Sequence, residues 1–166
     1  MISKSSTPVE EIRSAFLSHK DEHNSIHIYT DGSKKEDGVG FASILPTRII
    51  DGGLPNEASI FTAELYAVKA TVEYLIENVD GPSNYTIFCD SQSVLYAIKS
   101  NASKSMIVGT IKFLMFLATS RNMHINLCWV PGHCGIAGND KADNKAKYAS
   151  SKVDELQQIE QSLIQT

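Results

Sequence analysis

Two short runs, IHIYTD at 26–31 and YTIFCD at 85–90, constrain this chain more than any other feature, because each is β-branched and aromatic and each closes on a carboxylate. Runs of this kind read as strands, so Asp31 and Asp90 are expected where two buried strands run out. Asp31 has a local alternative, since Asp31-Gly32-Ser33 is ordinary turn chemistry. Between the two runs lies FTAELYAVKATVEYLIENV, where Leu65, Val68, Val72, Leu75, Ile76 and Val79 recur at three- and four-residue steps. That spacing marks the buried stripe of a long helix. Glu64 precedes Val68, Val72 and Ile76 in one i+4 row, in line with the core-facing residues near the helix start. The helix macrodipole gives a bland account of the same residue, because it favours Glu near an N-terminus.

The remaining elements follow from similar signals. Thr7-Pro8-Val9-Glu10 carries a capping residue, a proline for the first helical position and Glu three after the cap, ahead of apolar Val9, Ile12, Phe16 and Leu17. Residues 39–45 and 48–54 read as two further strands, turned at Pro46-Thr47. After Asp90, Ser91 opens a helix with Val94, Leu95 and Ile98, 106–118 forms an apolar helix, and 124–130 is another strand. PGHCGIAG at 131–138 is a glycine-punctuated loop expected to be mobile, followed from about Asn139 by a helix packing through Ala142, Ala146, Ala149 and Val153, with Asp143 at the border of that face. Alternating strands and helices after residue 80 imply parallel pairing through right-handed crossovers, whereas the tightly turned first three strands imply an antiparallel meander. The fold class is therefore α/β, a mixed sheet with helices on its faces. In such sheets function collects beyond the carboxyl ends of adjacent parallel strands, which is where Asp31 and Asp90 fall.

A length of 166 residues suits one domain with a substantial core. The organisation expected is a helical lead-in at 1–24, a domain at 25–151, and a tail at 152–166 that can extend the last helix and present Val153, Leu156, Ile159 and Leu163 to a partner. Cys89, Cys128 and Cys134 are odd in number and lack CxxC spacing, so they read as reduced structural thiols. The opening MISKSSTPVEEIRS has no apolar stretch of signal-peptide length and no segment approaches a membrane span. The expectation is an intracellular protein with no membrane partner, cytoplasmic or nuclear left open. A net charge of −4 weighs against a nucleic-acid partner until divalent cations are counted, because two would cancel four clustered carboxylates.

Those four are Asp31, Glu64, Asp90 and Asp143. Carboxylates gathered at one site repel, and without a cation at least one must hold a proton at neutral pH. Oxygen-only ligation favours hard ions, and Mg²⁺ takes a few carboxylates, keeps waters and completes its shell with phosphate oxygens. Two such ions about 3.5–4 Å apart suit in-line phosphodiester hydrolysis, with Mn²⁺ able to substitute. His133 is either a polar surface residue or a proton shuttle, with loop glycines letting it swing toward the site. His19, His23, His27 and His124 lack such a setting.

TDGS at 30–33, TAEL at 62–65, CDSQS at 89–93 and WVPGHCGIAGNDKAD at 129–143 resemble the ordered motifs of the type 1 ribonuclease H family, most of all the ribonuclease H domains of non-LTR retrotransposon polyproteins. The resemblance implies the five-stranded ribonuclease H-like fold, three antiparallel strands plus two parallel with helices on both faces. It implies cleavage of the RNA strand of RNA–DNA hybrids by a two-metal mechanism within retrotransposon reverse transcription, with an adjoining reverse transcriptase domain as partner. The family's metal-binding acids map to Asp31, Glu64, Asp90 and Asp143 and its loop histidine to His133, while Asp140 matches a neighbouring acidic position without a metal role. Gly32 and Ser33 would approach the RNA backbone, Gln92 a base edge in the minor groove, and Ser59 or Thr62 a DNA phosphate.

Only NASKS separates the helix ending near Ser100 from that starting near Met106, where cellular members insert a basic, tryptophan-bearing handle. Lys99, Lys104, Lys112 and Arg121 are scattered, and Trp129, the single tryptophan, lies in a strand, so the isolated domain is expected to bind weakly and with strong salt dependence. Two other readings share the fold: a catalytically silent nucleic-acid-binding or connection module, and an integrase or transposase core. Silent relatives tend to lose acids, and integrase cores expect three acids and have no place for the PGHCGIAGND loop.

Overall fold

The computed structural model describes residues 8–19, 24–36, 38–81 and 83–164, the side chains of His19 and of 153–164 excepted. In chain order the elements are α1 (Pro8–His19), β1 (Ile26–Lys35), β2 (Gly38–Ile44), β3 (Ile49–Leu54), α2 (Ile60–Asn78), β4 (Ser83–Cys89), α3 (Gln92–Lys99), α4 (Met106–Ser120), β5 (Met123–Trp129) and α5 (Ala137–Ile164). The cap expected at Thr7 and the apolar side chains Val153, Leu156, Ile159 and Leu163 lie outside the described residues.

The sheet runs β3-β2-β1-β4-β5, antiparallel from β3 to β1 and parallel from β1 to β5, as the alternation of elements predicts. Strand alternation sends side chains to two faces. Ile28 and Ile87 join Val72, Leu75 and Ile76 of α2 and Ala118 of α4 in one core, while Phe88 packs on the other face with Val130, Ile136, Tyr29 and Phe16 of α1. Each fully buried Ile, Leu or Val contributes roughly 1.5–3 kcal/mol by leaving water. The second face is covered mainly by α5, which packs against β1, β2 and β3.

Why α5 carries alanines rather than larger residues is visible in what it meets. A Cβ added at Gly40 would lie 2.6 Å from the Ala146 carbonyl oxygen, and one at Gly38 would overlap the Ser150 carbonyl. Helix backbone and strand backbone are therefore nearly in contact, and Ala142, Ala146 and Ala149 are buried in the seam. This close approach fixes where Asp143, one residue past Ala142, arrives.

Candidate active site

β1 does not stop at Asp31. Its parallel pairing with β4 ends at Thr30↔Cys89, but its antiparallel pairing with β2 continues through Asp31↔Ala42 to Lys35↔Gly38. Asp31-Gly32-Ser33 is extended backbone rather than a turn, and the expectation that the strand runs out there is corrected. The rim is made by β4, whose last residue is Cys89, so that Asp90 follows immediately beside Asp31.

Gly32 lets α2 press on β1: a Cβ there would sit 2.6 Å from the Glu64 backbone nitrogen and 2.9 Å from the Ala63 Cβ. The approach delivers Glu64 to the rim, where it is 5% exposed. No acid occupies the first turn of α2, so the macrodipole does not account for Glu64. Asp31, Glu64 and Asp90 each place a carboxylate oxygen within 4.8 Å of the other two.

Asp143 and His133 line the same cavity of about 280 Å³ as these three acids, together with Gly32, Ser33, Lys34, Ile60 and Lys147. Asp143 stands outside the tight trio, its Oδ2 accepting from Lys147 Nζ at 2.6 Å one turn along α5. His133 is held in a left-handed conformation, φ 53°, on a loop whose ends are buried through Val130 and Ile136. Gly132 brings that loop close, since a Cβ on it would lie 2.8 Å from Asp90 Oδ2. Asp140 does not line the cavity and occupies the first turn of α5, a position the helix dipole favours for an acid.

The acids perturb one another as crowded, buried carboxylates must. Burial, then the charges of Asp90 and Asp143, push Asp31 up to about 7. Burial, then Asp31 and Asp90, push Glu64 up to about 9, leaving it a protonated donor to Asp31 at neutral pH. Asp90 is raised by burial, opposed by the side-chain amide of Asn139 and by His133. Cys89 is fully buried with its Sγ 3.8 Å from Glu64 Oε2, and burial pushes its thiol far up, so it stays protonated.

The donor set fits a divalent hard cation. Every group in the trio is a carboxylate, the cluster holds protons because its acids are buried and their like charges are forced together, and a dication removes that conflict. Asn139 was not singled out by sequence reasoning. It is 2% exposed, bonds Asp90 through its side chain, and its Oδ1 has no partner among the described residues. The available signal was its place in the GIAGND segment, three residues behind the buried anchor Ile136.

The other expected contacts separate. Gly32 and Ser33 line the catalytic cavity. Ser59 and Thr62 do not: the Ser59 hydroxyl caps α2 by accepting from the Thr62 N–H at 3.0 Å and pairs with the Thr62 hydroxyl at 2.9 Å. Gln92 lines a separate groove with Leu95, Tyr96, Lys99 and Trp129. The three cysteines are free, and among the described residues no helix is long and apolar enough to cross a membrane.

The chain is 30% identical over 141 residues to a ribonuclease H of Helicobacter acinonychis, covering 76% of this chain and 94% of that protein. It is likewise 30% identical over 137 residues to a ribonuclease HI of Helicobacter pylori, again covering 76% and 94%. Residues 23–151 match the RNase H family, and the chain belongs to it.

Proposed function

We propose that this protein is a Mg²⁺-dependent endonuclease that hydrolyses the RNA strand of RNA–DNA hybrids. The observation that carries the reading is the convergence of Asp31, Glu64, Asp90, Asp143 and His133 on one cavity, from one strand, the residue that follows a second, two helices and a loop. Asp31, Glu64 and Asp90 would hold the metal in the trio, with Asp143 completing a second position after parting from Lys147. A pair of divalent ions, Mg²⁺ or Mn²⁺, would supply the positive charge that stabilises the attacking and leaving oxygens of the displacement.

The chain's own residues do the rest. Gly32 and Ser33 form the wall along which the RNA backbone lies, with 2′-hydroxyls read through shape rather than base identity. His133 faces the site from the loop and carries a proton to or from the leaving group. Asn139 holds the Asp90 carboxylate in place. The catalytic domain is taken as 25–151, with 1–24 as lead-in and 152–166 as extension. The short α3–α4 connection supports a retrotransposon setting in which an adjoining reverse transcriptase domain helps to grip the substrate.

A fluorescently labelled RNA–DNA hybrid incubated with Mg²⁺ tests the proposal. The wild type should cut the RNA strand only, and Asp31→Asn and Asp90→Asn should not cut. An inert wild type at low salt and high enzyme concentration would instead make the chain a silent binding module.

A further inference from the structure

Beside the catalytic cavity, α3 and the end of β5 enclose a second groove of about 240 Å³, lined by Gln92, Leu95, Tyr96, Lys99 and Trp129. Tyr96 is 70% exposed and Trp129 43%, two aromatic side chains left open to water on one small surface. The indole is fixed, because Trp129 Nε1 donates to the Asp90 backbone carbonyl at 3.1 Å. Its polar atom is satisfied, so its open face is a preorganised stacking surface. Lys99 is the one charged residue of the lining and sits in the last turn of α3.

We propose that this groove is a subsite for an unpaired nucleotide, part of a single-stranded segment flanking the hybrid. The proposal rests on the hybrid being cut in the neighbouring cavity. Its base stacks on Trp129 and Tyr96, and its phosphate meets the Lys99 ammonium. Three observations select this occupant. The groove adjoins the catalytic cavity at Asp90, which lines the cavity and whose backbone carbonyl accepts from the indole of the groove's tryptophan. A polynucleotide leaving the cavity on this side comes within reach of it. The lining pairs aromatic faces with one cation, the combination that binds single strands without sequence preference. Its volume is below that of drug-sized pockets and suits one base, while bases stacked inside a duplex have no free face to offer. An apolar peptide would leave Lys99 uncompensated.

Trp129 is the single tryptophan of the chain, so its intrinsic fluorescence reports the groove directly. Titration of the wild type with a short thymidylate DNA single strand should quench it saturably. Tyr96→Ala should weaken that binding roughly tenfold, the usual loss on removing one stacking partner. Lys99→Gln should flatten the slope of log affinity against log salt by about 0.7, the share of one phosphate on a single strand. In cleavage assays a hybrid with a single-stranded tail should have a lower KM than its blunt counterpart, and the ratio of the two should approach one in Tyr96→Ala. Thermal melting of each variant establishes that it is folded. Absence of quenching, quenching by blunt duplex as strong as by the single strand, response only to an apolar peptide, or a KM indifferent to the tail would each overturn the subsite. Cleavage without a tail effect removes this inference alone, whereas quenching without hybrid cleavage removes the nuclease reading and reduces the groove to a single-strand contact with no role beside a cut hybrid.

Discussion

Lys147 Nζ lies 2.6 Å from Asp143 Oδ2, one helical turn further along α5, and both side chains line the cavity that holds the other three acids. The ammonium is a built-in counter-charge for the fourth carboxylate. Its proton is held more tightly than usual, chiefly by that hydrogen bond. The pair is partly exposed, so it contributes little to folding, about 0–1 kcal/mol. Lys147→Gln should leave the melting temperature nearly unchanged while shifting Mg²⁺ titrations of calorimetric heat to lower concentration by a few fold. Weaker Mg²⁺ binding in the variant would show that Lys147 helps rather than competes.

The pH dependence of the metal-free protein follows from Asp31 and Glu64, whose ordinary values of 3.8 and 4.5 rise to about 7 and about 9 on folding. Between those limits the folded state binds more protons than the unfolded one, so stability falls as pH rises. Their contribution is fully present below about pH 4 and is lost as pH passes through 7 and 9. Metal binding needs both groups deprotonated, so Mg²⁺ affinity moves the other way and strengthens with pH. Melting temperatures with and without Mg²⁺ should diverge from about pH 5 to about pH 9, and Glu64→Gln should flatten the metal-free slope. A Mg²⁺ effect that shrinks toward alkaline pH would contradict this account.

Two glycines separate activity from stability. Gly132→Ala puts a methyl 2.8 Å from Asp90 Oδ2, the free end of a side chain that can turn away. Turnover should fall by at least tenfold, with unfolding free energy lowered by less than about 1 kcal/mol. Gly32→Ala puts its methyl 2.6 Å from backbone, the Glu64 nitrogen, which can move only if α2 shifts from β1. That variant should lose about 1–3 kcal/mol in urea unfolding as well as activity. Equal destabilisation by both would mean that Asp90 is not free to move.

His133→Ala should slow turnover by about 10²–10⁴ with Mg²⁺ binding retained, because the imidazole lies outside the carboxylate trio. Loss of Mg²⁺ binding in calorimetry would move His133 from proton transfer to ligation.

The strand and helix pattern was legible because buried faces impose their period on the chain: Val68, Val72 and Ile76 are buried as their spacing requires, and Glu64 with them. What spacing alone did not disclose was contact between elements. Asp31 looked like the end of a strand because Gly32 and Ser33 are turn residues, whereas Gly32 serves the close passage of α2 over a strand that continues. Ser59 or Thr62 was read as a phosphate contact, and the cap that the Ser59 hydroxyl makes on the Thr62 N–H is a further role that spacing did not show. Asn139 escaped notice since burial, not composition, makes its amide matter to Asp90. Trp129 read as an ordinary strand residue because the Asp90 carbonyl that holds it is 39 residues away in the chain.

The seating of α5 against Gly38 and Gly40 also sets a schedule. During synthesis, positions 31, 64 and 90 emerge and can pair their strands well before residue 143 leaves the ribosome, and only docking of the last helix across the first hairpin brings in the fourth acid. A nascent chain therefore carries an incomplete set of acids, and no finished hybrid-cutting centre, until α5 has docked.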